Sequence, residues 1–294
     1  MNIFEEINKR ILVSDGAMGT LLHRLGLKEG VCPESLNTDS PDIVRKVAEI
    51  YREAGSDIIS TNTFGGNSFK LKDFGISEDM VYIFNKTAVE IAKSVMGEDG
   101  FVFASCGTTG QIIEDEGGTA SFEDIYNSFR DQIKAQAEGG ADSILIETQY
   151  SALESEAAIK AAKENTSLPV ICTYTFEPGR RGYRTMMGLT PEMAAENALE
   201  AGADIVGANC GTGIENMIDI CKEIRSVTDR PILINSNAGL PILENGKTVF
   251  KSTPTEMASF VPALIEAGAN IIGGCCGTDG EHIKAIKKCI MNNE

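Results

Sequence analysis

A chain of 294 residues with 43 acidic and 26 basic side chains carries a formal charge of −17, and its core must form without tryptophan. That charge excludes nucleic acid and anionic membrane as partners, because both demand clustered Lys and Arg. No apolar run reaches the ~18 residues of a membrane span, and the opening MNIFEEINKR does not resemble a signal peptide; a cytoplasmic location is expected, with the eight cysteines as reduced core residues, ligands or nucleophiles.

The predicted strands, in chain order, begin with ILVSD (11–15), AGSDIIST (54–61), FVFASCG (101–107) and GGADSILIET (139–148). They continue with PVICTYT (169–175), AGADIVGANC (201–210), PILINSN (231–237) and AGANIIGGCC (267–276). Every second one repeats a single form: a helix stopped by Gly in the left-handed conformation, then an Ile/Val-rich run suited to a strand buried on both faces. Between them lie segments such as PDIVRKVAEIYREAG and TPTEMASFVPALIEAG, several opening on Ser, Thr or Asp with Glu soon after, a helix-start signal. Eight strands each followed by a helix predict an α/β fold, a single (β/α)₈ TIM barrel, over residues 1–294. An open doubly wound sheet is the runner-up; DGAMGT lacks the GxGxxG spacing it would need.

The active site of such a barrel forms at the C-terminal ends of the strands. Those ends carry Asp15, Asn62, Cys106, Glu147, Thr173, Cys210, Asn237, Cys275 and Cys276. Cys210, Cys275 and Cys276 match the three protein ligands of a catalytic zinc, which leaves one position open. Adjacent residues on a strand face opposite ways, so the vicinal pair requires the strand to have ended, with Gly273, Gly274 and Gly277 giving the turn its freedom. On the residues alone a redox or structural role stays open beside zinc. A phosphate-binding turn is disfavoured, since nothing basic accompanies it. Asp15 and Glu147 are rim carboxylates suited to the ammonium group of an amino-acid substrate, with helix capping or pairing to Arg as the plainer alternatives. His23 and His282 fall in predicted helices as structural residues, and no strand ends in Lys, against a Schiff-base mechanism.

DGAMGT (15–20), TNTFGGN (61–67), ET (147–148), GANC (207–210), SNAGLP (236–241) and GGCCGT (273–278) resemble the homocysteine S-methyltransferase family. Within it, the likeness runs to the homocysteine-binding module of cobalamin-dependent methionine synthase, from Ile11 to about Ile286. The resemblance implies Zn2+ held by Cys210, Cys275 and Cys276, with the homocysteine sulfur as fourth ligand and methionine biosynthesis as the role. It implies that Asp15 and Glu147 hold the amino group, and that backbone amides of Gly16, Ala17 and Met18 receive the carboxylate. Thr61, Asn62 and Thr63 would line the pocket, with Asn209 and Asn237 as pocket or supporting residues. The sequence departs from the family at SCGTTG (105–110), where Pro more often follows the Gly.

The chain stops soon after its eighth strand, so the folate, cobalamin and reactivation modules of the full synthase, and the extension of betaine-dependent relatives, are expected to be absent. The methyl donor is then methylcobalamin or another methylcorrinoid on a separate protein or module, or a sulfonium such as S-methylmethionine. Two further readings stand: a corrinoid-linked enzyme using another thiol or running toward demethylation, and a zinc- or thiol-binding protein without turnover.

Overall fold

A computed structural model describes residues 2–244 and 247–292. All eight predicted strands form: β1 (Leu12–Val13), β2 (Ile58–Ser60), β3 (Phe101–Cys106), β4 (Ser143–Gln149), β5 (Val170–Tyr174), β6 (Ile205–Gly213), β7 (Ile232–Asn237) and β8 (Ile271–Gly274). They make one parallel sheet in the ring order β1-β8-β7-β6-β5-β4-β3-β2. Between β1 and β2 the seam is laced by the Asp57 amide donating to Val13 O (2.8 Å) and by the Asp15 carboxylate accepting from the Ser60 amide (2.6 Å). Each strand is followed by an outer helix, from Pro41–Glu53 after β1 to Gly280–Met291 after β8. Among the described residues no helix is long and apolar enough to cross a membrane.

The fourfold repeat in the sequence has a structural cause. Gly55, Gly140, Gly202 and Gly268 all adopt φ between 92° and 110°, where a Cβ would be strained. The Asp or Asn two residues on then accepts from the first or second amide of the preceding strand. Asp57 takes Val13, Asp142 takes Val102, Asp204 takes Val170 and Asn270 takes Ile232. Each of these acceptors also meets a cation, Lys287, Lys93, Lys163 and Arg225 respectively. The device fixes the stagger between neighbouring strands at the closed end of the barrel. The helix starts follow their caps, with Thr253 and Glu256 forming a reciprocal capping box.

Inside the barrel, alternation along the strands sorts side chains by height. The floor is apolar: Leu12, Ile58, Phe103, Leu145, Ile171, Ile205, Leu233 and Ile271 pack together, and the N-terminal helix Ile3–Ile7 closes them from below. Two residues further along the same strands, the layer turns polar at Ser14, Ser60, Ser105, Glu147, Thr173 and Asn235. Gly207, on β6 opposite Leu233 of β7, has no room for a side chain: a Cβ would land 1.9 Å from Leu233 O. The fold thus presents a ring of hydrogen-bonding groups on a dry base, just under the mouth.

Candidate metal and substrate site

β6 does not end at Cys210; it bulges there. The register with β7 slips between Asn209 and Gly213, and Cys210 itself takes φ 59°, followed by Gly211 at 65°. A non-glycine residue in this region is uncommon and marks a place where surrounding structure holds the strain. A Cβ at Gly211 would sit 2.4 Å from Phe176 O, so the bulge is clamped by the chain leaving β5. The result turns the Cys210 sulfur toward the end of β8.

There the strand stops at Gly274 and the vicinal pair lies in a turn anchored on β7 and on Thr278. The Cys275 amide donates to Ser236 O (2.6 Å), and Cys276 O accepts from Ala238 N (3.0 Å). The Thr278 hydroxyl donates to Cys275 O (2.7 Å). Of the three glycines expected to free this turn, Gly277 alone has positive φ, at 84°. Gly273 and Gly274 serve close packing instead: added Cβ atoms would meet Ser14 Cβ at 2.6 Å and the Thr278 hydroxyl at 2.3 Å.

The sulfur atoms of Cys210, Cys275 and Cys276 all lie within 4.8 Å of one another, and the Cys210 and Cys276 sulfurs are 3.8 Å apart. Two thiolates on one tetrahedral zinc, each bonded at ~2.3 Å, stand ~3.8 Å apart. The residues present therefore fit that metal. Electrostatics agrees. Hydrogen bonds from Cys275 and Cys276 hold the Cys210 thiol far below its ordinary value, to about 3. That first thiolate helps push Cys276 up to about 12 and raises Cys275 well above its ordinary value. Three negative sulfurs in so small a volume need a cation to coexist.

The two carboxylates sit beside this cluster. Asp15, 2% exposed, accepts from the Ser60 amide and hydroxyl (2.6 and 3.0 Å) and from the Ser14 hydroxyl (3.4 Å). Glu147 accepts from the Ser105 hydroxyl and from Asn209 Nδ2 (3.3 Å). Desolvation raises Asp15 to about 6. It raises Glu147 to about 7, with further contributions from the charges of Asp15 and Cys210. Neither acid has a cationic partner in the described structure, so the plainer alternatives of pairing to Arg or capping a helix do not account for them. A positive group arriving between them would bring both back toward the ordinary carboxylate range.

Asn209 ties the two halves of the site together. Its Oδ1 accepts from the Thr148 amide and the Thr173 hydroxyl, both at 2.8 Å. Its Nδ2 reaches Glu147, the Thr148 hydroxyl (2.8 Å) and the Cys275 sulfur (3.9 Å). Thr148, a β-branched residue at φ 62°, is thereby gripped on both its amide and its hydroxyl. The Asn237 side chain makes a minor contribution to lowering the Cys210 thiol, and its Oδ1 is buried without a partner.

Other expected site residues are placed less directly. The Ala17 amide is occupied by the Thr278 hydroxyl (3.1 Å), which removes it from the expected anion-binding amides and leaves Gly16 and Met18. Thr61 and Thr63 join hydroxyls (2.6 Å) and hold Ser105 through its amide and carbonyl. Asn62 donates to Pro33 O and Asn37 Oδ1. The sequence has these three lining the pocket; the structure gives their side chains the work of bracing its wall. His23 and His282 are structural as expected: His23 Nδ1 meets Leu27 O, and His282 lies between Asp279 and Ser252 O. Sequence reasoning missed Ser60, Ser105, Tyr51 and Thr278. Tyr51, fully buried, donates to Ala17 O (2.8 Å) and packs with Thr278 against Gly16, where a Cβ would meet both within 2.8 Å.

Comparison with known proteins adds to this geometry. The homocysteine S-methyltransferase family model matches residues 12–290. Methionine synthase of Mycobacterium tuberculosis is 31% identical over 311 aligned positions, covering 99% of this chain and 25% of that protein. The Mycobacterium leprae methionine synthase is 30% identical, covering 98% and 25%. The chain thus spans about a quarter of the curated relatives it matches. Among solved structures, homocysteine methyltransferase MmuM from Escherichia coli in its metallated form superposes with a TM-score of 0.79 at 21% identity, covering 95% of this chain and 96% of that one.

Proposed function

The chain belongs to the homocysteine S-methyltransferase family, and from that premise we propose that residues 1–294 form one barrel that transfers a methyl group to the thiol of L-homocysteine, giving methionine, with zinc on Cys210, Cys275 and Cys276. The observation that carries the reading is the convergence of three sulfurs at zinc-like spacing beside two carboxylates without cationic partners. A zinc held there by Cys210, Cys275 and Cys276 would supply the means to keep the substrate sulfur ionised, since a free alkyl thiol of pKa ~8.5 is mostly protonated at neutral pH.

The protein's own groups supply position. Asp15 and Glu147 receive the α-ammonium, and the Gly16 and Met18 amides take the carboxylate. Asn209 fixes the Glu147 side chain relative to Cys275, so the ammonium and the sulfur are held on one scale. Fixing the nucleophile in line with its electrophile is the kind of preorganisation that removes much of a bimolecular barrier. No side chain is asked to act as a general base.

The donor we favour is a methylcorrinoid such as methylcobalamin, carried by a separate protein or module. The methionine synthase relatives, about four times the length of this chain, support a partner that brings the methyl group. A methionine-formation assay with homocysteine tests this, comparing methylcobalamin, S-methylmethionine and betaine as donors. Methionine is expected with methylcobalamin and none with betaine. Turnover with S-methylmethionine alone would replace the corrinoid reading, and no methionine from any donor would favour a thiol-binding protein.

A further inference from the structure

Resting on that reading, we infer that Asn235 is a third acceptor for the substrate ammonium and sets the preference for thiols that carry one. Asn235 lies on β7 in the polar inner layer, two residues above Leu233 of the apolar floor. In the sheet register it stands opposite Asn209 on one side and Gly273 on the other. Asn209 holds Glu147. Beyond Gly273 is the turn bearing Asp15, and the position of a Gly273 Cβ would be 2.7 Å from Asn235 Oδ1 and 2.8 Å from Asp15 O. The amide therefore sits on the arc between the two carboxylates.

It is also unemployed. Asn235 is 5% exposed, and its Oδ1 is buried with no hydrogen-bond partner. A polar atom buried in that state is costly unless something completes it. An ammonium group has three N–H donors. Asp15 and Glu147 account for two, and the free Oδ1 between them provides the third. The bare Cα of Gly273 keeps this space open, since any side chain there would strike the same oxygen. A neutral acceptor suits the position, because a third carboxylate beside a thiolate cluster would add repulsion.

Calorimetric titration of the zinc-loaded protein tests the inference with three probes: L-homocysteine, 4-mercaptobutanoate, which lacks the ammonium, and 3-mercaptopropylamine, which lacks the carboxylate. Asn235→Ala is expected to weaken the two ammonium-bearing probes by roughly 10- to 100-fold, the loss typical of a hydrogen bond to a charged group. Binding of 4-mercaptobutanoate and zinc content should not change. Circular dichroism and zinc content matching the unaltered protein guard against a folding defect in the alanine variant. Equal losses on all three probes, no loss, or a loss confined to carboxylate-bearing probes would overturn the assignment. Failure of the unaltered protein to bind homocysteine at all would instead sink the proposed function on which it rests.

Discussion

Cys210→Ala, Cys275→Ala and Cys276→Ala are each expected to reduce bound zinc from about one ion per chain to below ~0.1 after dialysis, since a catalytic zinc has three protein ligands and tolerates the loss of none. Metal analysis of the purified variants checks this. The three thiols are only partly buried at the mouth, so their truncation leaves the core intact and circular dichroism should match the unaltered protein. Cys172→Ala is the control: it lies fully buried on β5 and should retain full zinc while losing stability through the small cavity. Full zinc in any of the three site variants would remove that residue from the ligand set.

Asp15→Asn and Glu147→Gln are expected to have opposite effects on binding and on stability. Each should weaken homocysteine by about 10- to 100-fold, the cost of replacing a charged acceptor of an ammonium with a neutral one, while zinc stays in place. Each should also raise the melting temperature of the substrate-free protein by a few degrees at pH 8. The sign follows from the raised values of about 6 for Asp15 and about 7 for Glu147. The folded state binds these protons more tightly than the unfolded chain, so the penalty for ionising them builds up as pH rises from about 4 to about 7 and is complete above that. The neutral amides escape it, and their advantage should vanish near pH 4. Homocysteine affinity should correspondingly fall as pH drops through 7 toward 6, where the acids take up protons and lose their attraction for the ammonium. Calorimetry and thermal melts across that range separate the two effects. Unchanged affinity in both variants would strip the carboxylates of their role.

What made the barrel legible was periodicity enforced by packing. The Gly-then-Asp pattern before every second strand is visible in the sequence because one backbone conformation and one strand-to-strand hydrogen bond recur at Asp57, Asp142, Asp204 and Asn270. The three site cysteines were legible because a vicinal pair among glycines has few other uses. What escaped was anything decided by the partner strand. Ser60 and Ser105 look like ordinary strand residues, yet each hydroxyl holds a site carboxylate; counting in twos from Ile58 and Phe103 along the interior face would have found them. The bulge at Cys210 has no local signal beyond Gly211, because what packs against it is Phe176, just past the end of β5. Thr278 stands inside the GGCCGT motif, but its link to the Ala17 amide spans 261 residues and exists only once the ring has closed. The threonines at 61 and 63 carry a role the sequence does not announce: their hydroxyls join each other and brace Ser105 of the neighbouring strand.

The central claim is that Cys210, Cys275 and Cys276 together hold one zinc with a position left for the substrate sulfur. X-ray absorption at the zinc edge, on protein as purified and then with homocysteine added, tests it most directly. Three sulfur neighbours at ~2.3 Å plus one lighter atom, becoming four sulfurs with homocysteine, is the predicted result. Fewer than three sulfurs at the start, or a first shell that does not change when homocysteine is added, would contradict it.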